Sequence, residues 1–230
     1  MRAFFFDSVF FGVLISIVTY ELGAFAKRRW KLAIFNPLLL SVLAVMGVLT
    51  LLDLDYDLYY EGAKYISYLL TPATVCLAVP LYEKIELLKS HAGAIFGGIL
   101  AGVLTSLVSV LAFALLFGFT HEQYVTLLPK SITTAIGMGI SEELGGLVTI
   151  TVAVIIITGV LGNIMAELVL RLFHIEDPIA RGIAIGSASH AIGTVKAMEL
   201  GEVEGAMSSL SIAVAGLLTV VGASVFAAFL

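Results

Sequence analysis

Cysteine, histidine and charge are scarce in this chain, and each shortage excludes a class of function. The one cysteine, Cys76, can form no intrachain disulfide and no thiolate metal cluster. Four histidines scattered over 230 residues show no zinc-ligand spacing. Only 13% of residues are charged, against roughly 25% in an ordinary globular chain. The charges lie in short clusters with no basic tract, so a net charge of −5 carries no signature of nucleic-acid binding. There is no Gly-x-Ser-x-Gly elbow, no His-Glu-x-x-His pair and no nucleophile beside a base. Neither an enzyme nor a cofactor is expected.

Apolar residues fill the space instead, at 60% of the chain. A span needs about 20 apolar residues to cross ~30 Å of hydrocarbon, so there is room for about eight crossings and no sizeable aqueous domain. Soluble enzymes and receptors with ectodomains are thereby excluded. The reading is an all-α polytopic protein of the cell (inner or plasma) membrane, a single integral membrane domain over 1–230. The first apolar run leads into Glu21 and then Lys27, Arg28 and Arg29 without a small-residue cleavage pattern. It is read as a retained helix.

Six stretches are long and apolar enough to cross: 8–26, 32–52, 65–82, 92–119, 144–166 and 205–230. Two are short, polar and glycine-rich: 124–141 and 182–195. About seven to eight transmembrane segments with broken helices are therefore expected, with 120–143 re-entrant or broken. Breaks are predicted at Thr71-Pro72 with Pro80, at Pro129-Lys130-Ser131, and at Gly186 to His190. A backbone that leaves the helical ladder in lipid must be satisfied by protein or water, so such breaks line cavities.

The basic residues assign the sides. Lys27, Arg28, Arg29 and Lys31 place the first loop inside, and the acidic stretch from Asp53 to Glu61 is read as a solvated outer loop. Lys84 and Lys89 then fall inside, and if 124–141 dips and returns, Arg171 and Arg181 also lie inside. Residues 32–119 and 144–230 then read as an inverted repeat, each three crossings with a broken middle helix. Transporters place substrate where such broken helices meet.

Charge at apolar depth is costly and marks function. Lys130 follows Pro129 and precedes Ser131, Thr133 and Thr134, which combines an ammonium, hydroxyls and free helix-start N–H groups, the composition of a site for a small anion. The alternative is that Lys130 snorkels to the surface and the hydroxyls bond their own helix. A second group comprises Ser187, Ser189, His190 and Thr194, where His190 either packs or carries a proton. Asn36 before Pro37 reads first as a helix cap. With Thr71 and Tyr82, it ranks second as a substrate contact.

Several ordered motifs resemble the LrgB/CidB family of bacterial membrane proteins: Asn36-Pro37-Leu38-Leu39, the run from Pro72 to Glu83, Leu128 through Thr134, Ala180 through Thr194, and Glu204 through Leu210. The resemblance covers nearly the whole chain after about residue 30. It implies a carrier or carrier subunit for small 2-hydroxy or 2-oxo monocarboxylates of the pyruvate, glycolate or glycerate type, the last two exchanged by a fused plastid relative. It equally implies the role under which the family was first described, an antiholin-like regulator of murein hydrolases and autolysis acting with a smaller LrgA/CidA-type partner. A carrier would hold its carboxylate between 130–134 and 187–194 and work by alternating access, and a chain this small that must brace a moving bundle is expected to form at least a homodimer in the bilayer. Ala135 and Val148 stand where relatives commonly have proline, and straighter segments are expected there.

Overall fold

In lipid a backbone must satisfy its own hydrogen bonds, which favours helices for apolar runs such as these. The structure, a computed structural model, describes residues 8, 10–30, 35–76 and 78–230, and no strand occurs among them. They divide into two compact units, Met1–Cys76 and Leu77–Leu230.

The first unit holds α1 (Phe10–Trp30), α2 (Pro37–Leu51), α3 (Tyr56–Ser67) and α4 (Leu70–Cys76). Asn36 caps α2 as its position predicts, its side-chain oxygen accepting from the N–H groups of Leu38 and Leu39 at 2.9 and 3.2 Å, with Pro37 in the first turn. Helices α1 and α2 run antiparallel. Thr19 meets Ser41 across the pair at 2.9 Å, and a Cβ on Gly23 would lie 3.0 Å from the Pro37 Cα. The expected outer loop is different in fact: Asp55 caps α3, and Asp57 sits in its first turn.

The second unit holds α5 (Ala78–Glu83), α6 (Ile85–Ser90), α7 (Ala92–Phe117), α8 (His121–Leu127), α9 (Thr134–Glu143), α10 (Val148–Leu172), α11 (Pro178–Leu200) and α12 (Glu202–Ala227). The run 65–82 is divided among α3, α4 and α5, because Pro72 and Pro80 each stand in the first turn of a new helix, where a missing N–H costs nothing. The straightening expected at Ala135 and Val148 does not arise. Both fall in first turns, of α9 and α10, where proline and its absence equally permit a helix to start.

One face of α7 presents Ile95, Ile99, Val103, Leu107, Val110 and Ala114 at helical spacing. It buries them in a core shared with Tyr124, Val125 and Leu128 and with Met207 and Leu210 of α12. Among the described residues, α1, α7, α10 and α12 are long and apolar enough to cross a membrane. Their exposed residues are largely apolar, as lipid-facing surfaces must be.

Helix α11 does not cross. Its backbone leaves the helical region at His190, with φ 43° and ψ −142°, and the chain doubles back there. A Cβ on Gly193 would lie 3.0 Å from Ile185 Cγ2, although eight residues of unbroken helix would separate them by about 12 Å. Arg181 and Leu200, near opposite ends of α11, line one cavity of ≈340 Å3; in a straight helix they would be about 28 Å apart. The stretch 182–195 is thus the tip of a helical hairpin, and the crossing expected there is replaced by a re-entrant element. Four helices long and apolar enough to cross stand among the described residues against the seven to eight segments expected, and an inverted pairing of 32–119 with 144–230 is not established by them.

Candidate functional site

Small residues let the hairpin sit close to its neighbours. A Cβ on Gly182 would lie 3.0 Å from the Glu204 Cα, and one on Gly186 would lie 2.8 Å from the Ser208 Cα. On the α7 side, a Cβ on Gly102 would meet Ser187 Cβ at 3.0 Å. Ion pairs hold the base: Lys196 with Glu167 of α10 and with Glu199, and Arg181 with the buried Glu204 at 3.9 Å.

Between α7 and the first half of the hairpin lies a cavity of ≈790 Å3. His91 and Asp177 stand at the helix starts that form its mouth, and Lys130, Ser131, Ser106 and Ser109 line its far end with Ser187 opposite. Lys130 and Ser131 occupy the turn between α8 and α9, neither of which is long enough to cross. The Lys130 ammonium donates to Ser131 Oγ at 2.9 Å, and the hydroxyls of Ser131 and Ser106 lie 3.1 Å apart. Ser187 donates to the Ile183 carbonyl at 2.7 Å, which keeps its oxygen lone pairs at the cavity wall. A carboxylate entering here would meet the Lys130 ammonium and the Ser131–Ser106 hydroxyl pair, since Ser187, Ser109 and Thr105 donate to backbone carbonyls of their own helices.

The remaining sequence-selected residues serve other positions. His190 Nε2 lies 3.0 Å from the Ile155 carbonyl, on the α10 side of the hairpin. Thr194 donates to the His190 carbonyl at 3.0 Å and pairs with Ser208 of α12 at 2.7 Å. Ser189 packs against Gly162 of α10. These three shape the hairpin and do not line the cavity. Thr133 precedes α9 and Thr134 begins it, both half-buried beside the Lys130 turn. Tyr82 is exposed on α5, Asn36 caps α2 in the other unit, and the Thr71 side chain lies outside the described residues.

Ser106, Ser109 and Thr105 of α7 are the lining residues that the sequence reading passes over. Their signal is three hydroxyls on one face of a helix that is otherwise apolar. Beyond the far end, Tyr124, Val125 and Leu128 are fully buried. The Tyr124 hydroxyl donates to the Phe226 carbonyl at 2.9 Å, closing that end. Among the described residues, no group of three or more His, Cys, Asp or Glu side chains is placed to hold a metal ion.

Comparison with known proteins finds a match to the LrgB-like family over residues 16–229. Relatives include the holin-like protein CidB of Staphylococcus epidermidis (strain RP62A), 39% identical over 198 residues, and its namesake in Staphylococcus aureus (strain Mu50), 38% identical over the same length. Each match covers 86% of both chains. No solved structure matches the chain.

Proposed function

This chain belongs to the LrgB-like family and is a multi-pass membrane protein, and from that premise we propose that it acts as an antiholin-like regulator. It controls murein hydrolase activity and autolysis without itself being an enzyme, and it works with an LrgA/CidA-type membrane partner. The observation that carries this reading is the match to relatives named holin-like, over most of both chains. Expression in a host lacking its own copies of the pair tests it. The autolysis rate should change when chain and partner are present together; an unchanged rate overturns the proposal.

A second reading is carriage of small 2-hydroxy or 2-oxo monocarboxylates, and one specific observation favours it: the ≈790 Å3 cavity with Lys130 at its far end. The anion enters past His91 and Asp177 and exchanges its water for the ammonium of Lys130 and the Ser131–Ser106 hydroxyl pair. Thr133 and Thr134 support the turn. His190, Ser189 and Thr194 maintain the hairpin that forms the opposite wall. Asn36, Thr71 and Tyr82 take no part in this version of the site.

The arrangement of elements also suits alternating access. The starts of α7 and α11 share the cavity mouth, and α11 follows closely on the end of α10. Residues 118–147 therefore begin and end on the side opposite the mouth. A crossing helix followed by a re-entrant element then occurs twice in opposite senses, as α7 with 121–143 and α10 with α11. On this reading the second unit has three crossings, α7, α10 and α12, and two re-entrant segments. The chain is proposed to act as a homodimer. Uptake of labelled pyruvate or glycolate by proteoliposomes tests the carrier directly: uptake by the native chain that is lost in Lys130→Ala supports it, and absence of uptake with and without the partner overturns it.

A further inference from the structure

Helix α3 belongs to neither the cavity nor the four long spans, and its surface is unusual. It crosses α1 near one end. A Cβ on Gly12, in the first turn of α1, would meet the backbone of Tyr59, Gly62 and Ala63 together, so a full turn of α3 lies over a single position of α1. The Tyr59 hydroxyl reaches down α1 to Ser16 at 2.9 Å. This crossing lies at the end of α1 away from Lys27, Arg28 and Arg29.

Around α3 the residues sort into three strips. Tyr59, Gly62 and Ala63 face α1. Asp57, Glu61 and Lys64, spaced four and three apart, fall roughly on the opposite side, where Lys64 pairs with Glu61. Tyrosines occupy the borders: Tyr56 and Tyr60 on one side, stacked with ring centroids 5.9 Å apart, and Tyr65 on the other. They are 61%, 46% and 48% exposed respectively. On α1, Phe10 and Leu14 are also exposed, on the side turned away from the Gly12 crossing, so the helix that α3 crosses has a lipid-facing surface of its own.

We infer that α3 is an interfacial anchor that lies in the headgroup region of the bilayer, with its tyrosine borders among lipid and its charged strip in water. Twelve residues span about 18 Å, too short to cross. Tyrosine suits the place, because its ring partitions towards the acyl boundary while its hydroxyl stays with water and headgroups. The charged strip carries two carboxylates and one ammonium, so anionic lipid adds no attraction. The rings provide the hold.

The test uses the full chain in phosphatidylethanolamine vesicles with varied phosphatidylglycerol content. Trp30 is the one tryptophan, so Trp30→Phe gives a dark background into which Tyr60→Trp or Tyr65→Trp is introduced. Lipids carrying a quencher just below the headgroup should quench both tryptophans about twofold more than lipids quenched deep in the acyl chain. The ratio should not change with phosphatidylglycerol content. Asp57→Cys, in a Cys76→Ser background, should react with a membrane-impermeant maleimide. Strongest quenching by the deep lipid overturns the inference, as does quenching by acrylamide alone. Absence of quenching by either, which a covering protein or second copy would produce, also overturns it. Tyr56→Trp serves where either variant fails to reconstitute.

Discussion

Lys130 sits among hydroxyls with no carboxylate among the residues lining the far end of its cavity, and an ammonium in that position favours an anionic visitor. If the chain carries carboxylates, Lys130→Ala is expected to abolish uptake while changing folded stability by less than about 1 kcal/mol, because the Ser131–Ser106 contact does not depend on it. Uptake and thermal unfolding in detergent check the two halves separately. His190 presents the reverse case. Its positive φ costs a non-glycine residue about 1–3 kcal/mol, and its ring returns part of that through the Ile155 carbonyl. His190→Ala keeps the backbone cost and loses the bond; His190→Gly loses the bond and relieves the cost. Both variants lose the same bond and only alanine keeps the backbone cost, so His190→Gly should melt at a higher temperature than His190→Ala. The Asn36 cap was legible in the sequence because capping is a local rule, and Lys130, singled out there for the cost of its charge at apolar depth, lines the cavity. Ser106 was not, since a hydroxyl in an apolar helix ordinarily bonds to its own backbone and only the fold shows what it faces.

The hairpin α11 is set by packing more than by its own turn residues. Its reversal falls on a histidine, while the glycines that permit it lie at contact points along its arms. Gly186→Leu should destabilise by several kcal/mol, above about 3, since the new side chain meets the Ser208 backbone. Gly97→Leu is the control, because nothing lies within 4 Å of its Cβ direction, and unfolding of the two variants in detergent compares them. Gly102→Cys with Ser187→Cys, in a Cys76→Ser background, should cross-link once the helices part by about 0.5 Å, their Cβ positions being 3.0 Å apart. Electrophoretic mobility reads the link, and on the carrier reading the linked protein should lose uptake until reduced. The break near 186–190 could be read from polar and glycine content. Its geometry could not, because a kinked crossing and a hairpin share that content and differ only in what the arms pack against.

The bilayer as solvent follows from composition alone, and the match over residues 16–229 gives that membrane protein its family. The sense in which its elements cross is a property of the whole fold. Cysteines introduced at His174 and Gly201 should label from one side of the membrane and a cysteine at Thr120 from the other, because α11 returns to the side it left. Labelling of Gly201 from the Thr120 side would show that α11 crosses. The six long apolar runs were readable from hydropathy, but prolines within 65–82 and the doubling back of 182–195 altered what those runs build.

Tyr124 and the carbonyl of Phe226 meet at the closed end of the second unit. Between Ser109, the last α7 residue on the cavity, and the end of α7 there remain eight residues, about 12 Å of helix. If the cavity serves as a vestibule for solute, that layer is what would separate it from a continuous path. A membrane held at 100 mV places about 2.3 kcal/mol on each elementary charge crossing it, and a path so short to complete would discharge that potential whenever both ends opened together. In this sense a regulated hole and a solute carrier differ by the timing of one seal.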